Sequence, residues 1–146
     1  YTTLYPQSLT ATVESPGISA FQLERAVNEI KKIKESKTAD LVVASLHWGE
    51  EYKTQANEEQ KTIAHALVDA GADLIIGHHP HVVQEVERYK NTWIAYSLGN
   101  FVFDQSFSKE TMEGLILKAT IRNKGIFAVE TIKTKISPDF APYIEP

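Results

Sequence analysis

Apolar positions along this chain change their period near residue 80, and the change separates two kinds of architecture. Before it, helical and buried-strand patterns alternate. Leu23, Ala26, Val27, Ile30 and Ile33 recur at helical spacing and leave a Lys/Glu face for solvent. Ser19 with Gln22 matches a capping box opening that helix. Residues 41–46 are continuously apolar, as in a short parallel strand covered on both faces. Asn57 and Gln60 form a second capping pair. Ile63, Leu67 and Ala70 supply part of the buried stripe of that helix, and Gly71 is placed just past its end. Residues 74–76 read as the next buried strand. Beyond the switch, residues 82–89 and 92–97 read as two strands around a turn at Lys90-Asn91. Residues 115–122 and 126–135 form another pair around Asn123-Lys124-Gly125.

The order loop-α-β-α-β followed by antiparallel strands predicts an α/β fold, with residues 1–146 forming one domain or part of one. Residues 1–17, with Pro6, Pro16 and Gly17, read as the remnant of an entry strand and a loop. Residues 136–146, with Pro138, Pro142 and Pro146, read as an extended strap or the start of a linker. The chain opens on Tyr1 rather than Met, so a piece of a longer protein is expected. With no cysteine, disulfides and thiolate metal sites are excluded. A net charge of −4 gives no electrostatic reason to expect nucleic acid as a partner. Lys31, Lys32 and Lys34 do cluster, but Glu29 and Glu35 flank them, as on a solvated helix face. No apolar run approaches the roughly 18 residues of a membrane span, and no signal peptide is visible.

Histidine placement changes the picture most. Four of the five histidines follow two buried-strand patterns: His47 after the first, and His78, His79 and His81 after the second. The carboxyl ends of parallel strands are where open α/β sheets bind ligands, and neutral imidazole is the commonest metal ligand. A parallel crossover sets successive strand ends side by side, so His47 and the His79/His81 pair are expected to face one cleft. Pro80 biases His79 toward extended geometry, and Gly77 is expected to let the backbone turn sharply. One of Glu50 and Glu51 is a candidate to orient an imidazole, the other being solvated. Mid-helix His65 reads as structural. Gly99-Asn100 interrupts two apolar runs, so a turn or bulge is expected there, with Asn100 and Asp104 offering polar groups at the rim.

Three segments then become recognisable: 46–52 (LHWGEEY), 71–84 (GADLIIGHHPHVVQ) and 96–101 (YSLGNF). Together they resemble the bacterial capsule-synthesis family of CapA/PgsA type, associated with poly-γ-glutamate, over about residues 20–135. That family resembles in turn the calcineurin-like metallophosphoesterases. The resemblance implies the C-terminal half of a β-sandwich flanked by helices, with a metal centre at the strand ends. It makes His47 the lone histidine ligand after a strand. In the Gly-His-x-His loop, spacing selects His79 and His81, whereas adjacency to Gly77 selects His78; His79 and His81 are preferred. His78, Glu51 and Asn100 stand as candidate catalytic groups.

The Gly-Asp and Asn-His motifs of the superfamily's earlier half occur nowhere in this sequence. The resemblance therefore implies an incomplete site: one divalent ion (Mn²⁺, Zn²⁺ or Fe²⁺) held weakly here, two in the full-length domain, and little or no turnover. Implied partners are a phosphoester substrate or an anionic capsule polymer, and other capsule-synthase components. The implied location is extracytoplasmic, with a membrane anchor in the parent. Two other readings stand beside the phosphoesterase: a non-enzymatic polymer-binding or scaffold component, and a metal-dependent amide hydrolase acting on the γ-glutamyl chain. A half sheet also predicts self-association through an unpaired edge.

Overall fold

Two sheets and two helices make up the computed structural model, which describes residues 1–3 and 9–144. In chain order the elements are α1 (Leu23–Ser36), β1 (Val43–His47), α2 (Glu58–Asp69), β2 (Leu74–His78), β3 (Val86–Tyr89) and β4 (Thr92–Ala95). A short 3₁₀ turn, Glu110–Met112, then precedes β5 (Glu113–Arg122), β6 (Gly125–Ile136) and β7 (Pro142–Tyr143). The first sheet has the order β1-β2-β4-β3, with β1, β2 and β4 parallel and β3 antiparallel to β4. The second is the antiparallel set β5-β6-β7. This is the mixed α/β architecture expected, with a β1-α2-β2 crossover followed by antiparallel strands.

Helix α2 begins and ends as its sequence predicts. Asn57 accepts a hydrogen bond from the Gln60 backbone N–H at 2.9 Å, and the Gln60 side chain accepts one from Asn57 N–H at 3.0 Å. At the far end Gly71, φ +112°, and Ala72 donate back to Val68 and Leu67. Both bonds of a Schellman closure are therefore made. Helix α1 departs from its reading. It starts at Leu23 with Gln22 as N-cap and no capping side chain, so Ser19 caps nothing. Residues 18–21 stay outside the helix instead: Ile18 bridges Thr10, and the Phe21 ring meets the Tyr1 ring edge-on.

The helices cover one face of the first sheet. Ala26 and Ile30 from α1 join Ile63, Ala64 and Leu67 from α2 on a core that includes Ala44, Leu46, Ile75 and Ile94. Residue alternation sends Val43, Ser45 and His47 to the other face, where Val43 is 50% exposed. So β1 is not covered on both faces; its continuous apolar run hides an alternating strand. Its free edge is nonetheless paired, because Tyr1–Thr3 run parallel to it, with His47 N–H donating to Tyr1 and Thr3 N–H to His47. That is the entry-strand remnant; Pro6 of the same predicted loop lies outside the described residues.

Strand β3 is shorter than its pattern suggested, since residues 82–85 meet the segment after β4 only through local bonds such as Gln84 N–H to the Ser97 carbonyl. Leu98 and Gly99 then touch β5, where Leu115 N–H donates to Leu98 and Gly99 bridges Gly114, joining the two sheets. The β5–β6 hairpin turns on Asn123 and Lys124, both at positive φ, the geometry of a tight two-residue hairpin. The proline-rich tail turns at Phe140 and returns as β7 beside β6; Pro146 lies outside the described residues.

Gly77 does not serve as a turn. It sits within β2 at ordinary strand φ, and a Cβ there would lie 1.9 Å from the Tyr96 carbonyl oxygen and 2.4 Å from Trp48 Nε1. Its bare backbone lets the Trp48 indole donate to that carbonyl at 2.9 Å. Gly77→Ala is therefore expected to cost at least about 2 kcal/mol by overpacking. Gly125→Ala, whose Cβ meets nothing nearer than 3.8 Å, should cost under about 0.5 kcal/mol. Urea denaturation of the two variants checks both.

Candidate metal centre

Parallel pairing of β1 with β2 sets His47 directly opposite His78 at the strand ends. The two following loops are tied together by backbone bonds: Trp48 N–H donates to His78 at 3.1 Å, and Tyr52 N–H donates to Pro80 at 2.8 Å. Beneath them runs a buried amide relay. Gln60 Nε2 donates to Gln84 Oε1, and Gln84 Nε2 donates to the carbonyls of Lys53 and Gln55. Gly49, φ +81°, is needed here because any Cβ would fall 2.7 Å from the Gln60 amide.

The histidine loop takes an unexpected backbone. His79 has φ +103° and His81 φ +59°, not the extended form that a following proline favours at His79. Non-glycine residues in this region carry strain and persist only where their surroundings over-determine them. Here Pro80 is fully buried between them, and its carbonyl is held by Tyr52. The result is convergence. Ligand atoms of Glu51, His79 and His81 lie within 4.8 Å of one another. The His47 ring is 4.6 Å from that of His79, centroid to centroid, and the His81 ring is 5.8 Å from it.

Two imidazoles and a carboxylate form a donor set suited to Zn²⁺, Mn²⁺ or Fe²⁺, provided the imidazoles are unprotonated. The local electrostatics favour that state at His79 and at the neighbouring His47 and His78. Burial lowers the pKa of His47, and charge on His81 would lower it further. Burial likewise lowers His78, helped by His47. For His79, burial and His47 lower it, Glu51 opposes them, and His81 adds to the lowering.

Each predicted site residue can now be placed. His79, His81 and Glu51 come together, so Glu51 sits among the possible ligands rather than behind an imidazole. Glu50 instead accepts from the Asn57 side chain. His47 and His78 flank the group. Asn100 lies behind it, its Oδ1 2.9 Å from His81 Nδ1, and the left-handed residue at that bend is Gly99 rather than Asn100. Asp104 is exposed and outside the ligand group. His65 stacks on Tyr89 at 3.8 Å and bonds Glu87, the structural role expected.

An aromatic rim was not foreseen. Phe103 lies 5.0 Å from the His81 ring, Tyr52 6.2 Å, and Phe107 stands edge-on to Tyr52. Gln60 and Gln84 were also missed as parts of the frame, since no local pattern marks two amides 24 residues apart.

Comparison with known proteins follows the same segments. Residues 2–105 match the family model described as bacterial capsule synthesis protein PGA_cap. The chain is 40% identical over 138 residues to the capsule biosynthesis protein CapA of Bacillus anthracis, covering 93% of this chain and 33% of that protein. It is 39% identical over 125 residues to the PGA biosynthesis protein CapA of Bacillus subtilis (strain 168), covering 86% and 32% respectively. The chain thus spans about a third of the length of these curated relatives.

Because folding holds His47, His78 and His79 below the ordinary value of 6.5, the unfolded chain binds more protons than the folded one as pH falls through that value. Their contribution is complete above about 6.5 and is lost on acidification. Stability of the metal-free protein should therefore drop between about pH 7.5 and pH 5.5. A His47→Gln/His79→Gln variant should show a smaller drop in urea midpoint. An unchanged drop would assign the effect to other groups.

Proposed function

Since the chain belongs to the PGA_cap family of bacterial capsule synthesis proteins, we propose that it carries the histidine-rich part of a divalent-metal site used for hydrolysis in capsule biosynthesis. The observation that carries this reading is the meeting of Glu51, His79 and His81 at the carboxyl ends of two parallel strands. Strained backbone at both histidines supports it, since such strain collects where function demands it. Glu51, His79 and His81 would hold the ion. His47 and His78, their pKa values lowered by burial and then by charge on His81 and His47 respectively, stand beside it able to accept a proton. A bound divalent ion supplies Lewis acidity toward a substrate oxygen. Tyr52 and Phe103 would border that reaction beside His81, with Phe107 edge-on to Tyr52.

The substrate class proposed for the whole protein is a phosphoester, or a related linkage of an anionic capsule polymer, handled outside the cytoplasm. Among the described residues no helix is long and apolar enough to cross a membrane. Among the described residues the group offers one carboxylate to an ion. A two-metal clamp of the kind implied by the phosphoesterase resemblance needs further carboxylates, so this span alone is expected to turn over slowly or not at all.

Calorimetric titration with Mn²⁺ and with Zn²⁺ tests the reading. Saturable binding is expected, weakened in Glu51→Gln, abolished in His79→Ala/His81→Ala and unchanged in His65→Ala. Equal heats from the wild type and the double variant would leave the loop as scaffold and favour the polymer-binding reading. In the full-length protein, a panel of phosphodiesters and γ-glutamyl peptides separates phosphoester from amide hydrolysis.

A further inference from the structure

Asn100 is 6% exposed, yet both ends of its side chain are engaged. Its Nδ2 donates to the Thr111 carbonyl at 3.0 Å and approaches Gln105 Oε1 at 3.4 Å. Its Oδ1 lies 2.9 Å from His81 Nδ1. A backbone carbonyl only accepts, so the amide has one workable orientation: nitrogen toward Thr111, oxygen toward His81. An oxygen acceptor in turn demands a proton on His81 Nδ1, and a neutral imidazole then carries its lone pair on Nε2.

We propose that Asn100 is a positioning residue that fixes the tautomer of His81, keeping the proton on Nδ1 and presenting Nε2 to the divalent cation. This deepens the metal-site reading above and rests on it for its purpose, though not for its geometry. Local packing clamps the amide. Gly99, φ +69°, has no space for a Cβ, which would fall 2.7 Å from the Glu113 carbonyl oxygen. A Cβ on Gly114 would lie 2.1 Å from the Asn100 carbonyl oxygen. Thr111 is fully buried, and its hydroxyl donates to the Ser108 carbonyl at 2.9 Å. The carbonyl that orients Asn100 is therefore itself held in place. Partners of this kind, which hold the non-ligating nitrogen of a metal-binding histidine, typically change metal affinity 10–100-fold when removed.

The test uses ¹⁵N-histidine NMR on the metal-free protein, in which the two tautomers give distinct nitrogen shifts, together with Zn²⁺ and Mn²⁺ calorimetry. Wild-type His81 is expected to be Nδ1-protonated. Asn100→Leu should mix the tautomers and weaken metal binding about 10–100-fold. Asn100→Asp retains an acceptor toward His81 while losing the donor to Thr111, so it should keep the Nδ1–H signature. A role limited to bracing the loop predicts the opposite, with the aspartate as damaging as the leucine. The wild-type spectrum stands without any variant, so a poorly folded substitution does not block the test. An Nε2-protonated His81 in the wild type, or an unchanged signature in folded Asn100→Leu, would overturn the proposal. A correct tautomer in a protein that binds neither metal would support the Asn100–His81 coupling and sink the metal reading instead.

Discussion

The Trp48 indole lies across Gly77 to reach the Tyr96 carbonyl, and the geometry of the strand ends depends on that contact. One hydrogen bond links residues that follow β1 and β4, and it passes over the strand between them. It can form only because β2 has no side chain at that point. The indole also stacks against the Tyr96 ring at 5.9 Å, and both residues are buried. A buried bond of this kind is worth about 1 kcal/mol net, but leaving either partner unsatisfied costs about 1–3 kcal/mol. The three strand ends are therefore held at one level, and the loops bearing Glu51, His79 and Asn100 start from fixed points.

Electrostatics complete what the backbone begins. Where four imidazoles gather at a partly dehydrated surface, burial makes protonation of His47, His78 and His79 harder, and charge on a neighbouring imidazole, His47 or His81, adds to it. The same crowding keeps nitrogen lone pairs available at neutral pH. Glu51 is the single carboxylate in the ligand group and partly offsets the repulsion at His79. On the metal-site reading proposed above, a cation would meet donors prepared by the cluster's own composition.

Much of this was readable from residue order alone. The Asn57/Gln60 cap, the Gly71 closure and the hairpin turns each depend on residues only a few positions apart, and the side-by-side strand ends follow from the handed parallel crossover. What escaped prediction depends on contacts distant in sequence. Gly77 was read as a turn because glycine permits turns, whereas its actual role is set by Trp48 and Tyr96. His79 was expected to be extended because proline follows it, but burial of Pro80 and the bond from Tyr52 override that preference. Ser19 and Gln22 spell a cap, yet the pairing of Ile18 with Thr10 and the packing of Phe21 delay the helix by three residues. Glu51 reads from sequence as a catalytic or imidazole-orienting candidate, whereas the turn through Gly49 and Tyr52 sets its carboxylate beside His79 and His81.

The left-handed backbone at His79 and His81 also bears on how such a loop would drift. Glycine, asparagine and aspartate adopt that conformation at little cost, whereas histidine holds it against its preference. On the metal-site reading proposed above, a lineage that no longer used the ion would gain folding stability by exchanging either imidazole for one of these residues. The loop would then decay along a definite path, toward Gly-Pro-Asn or Asn-Pro-Gly rather than at random. On that reading, relatives that keep the ion should keep both histidines, and relatives that lose it should carry turn-forming residues in their place.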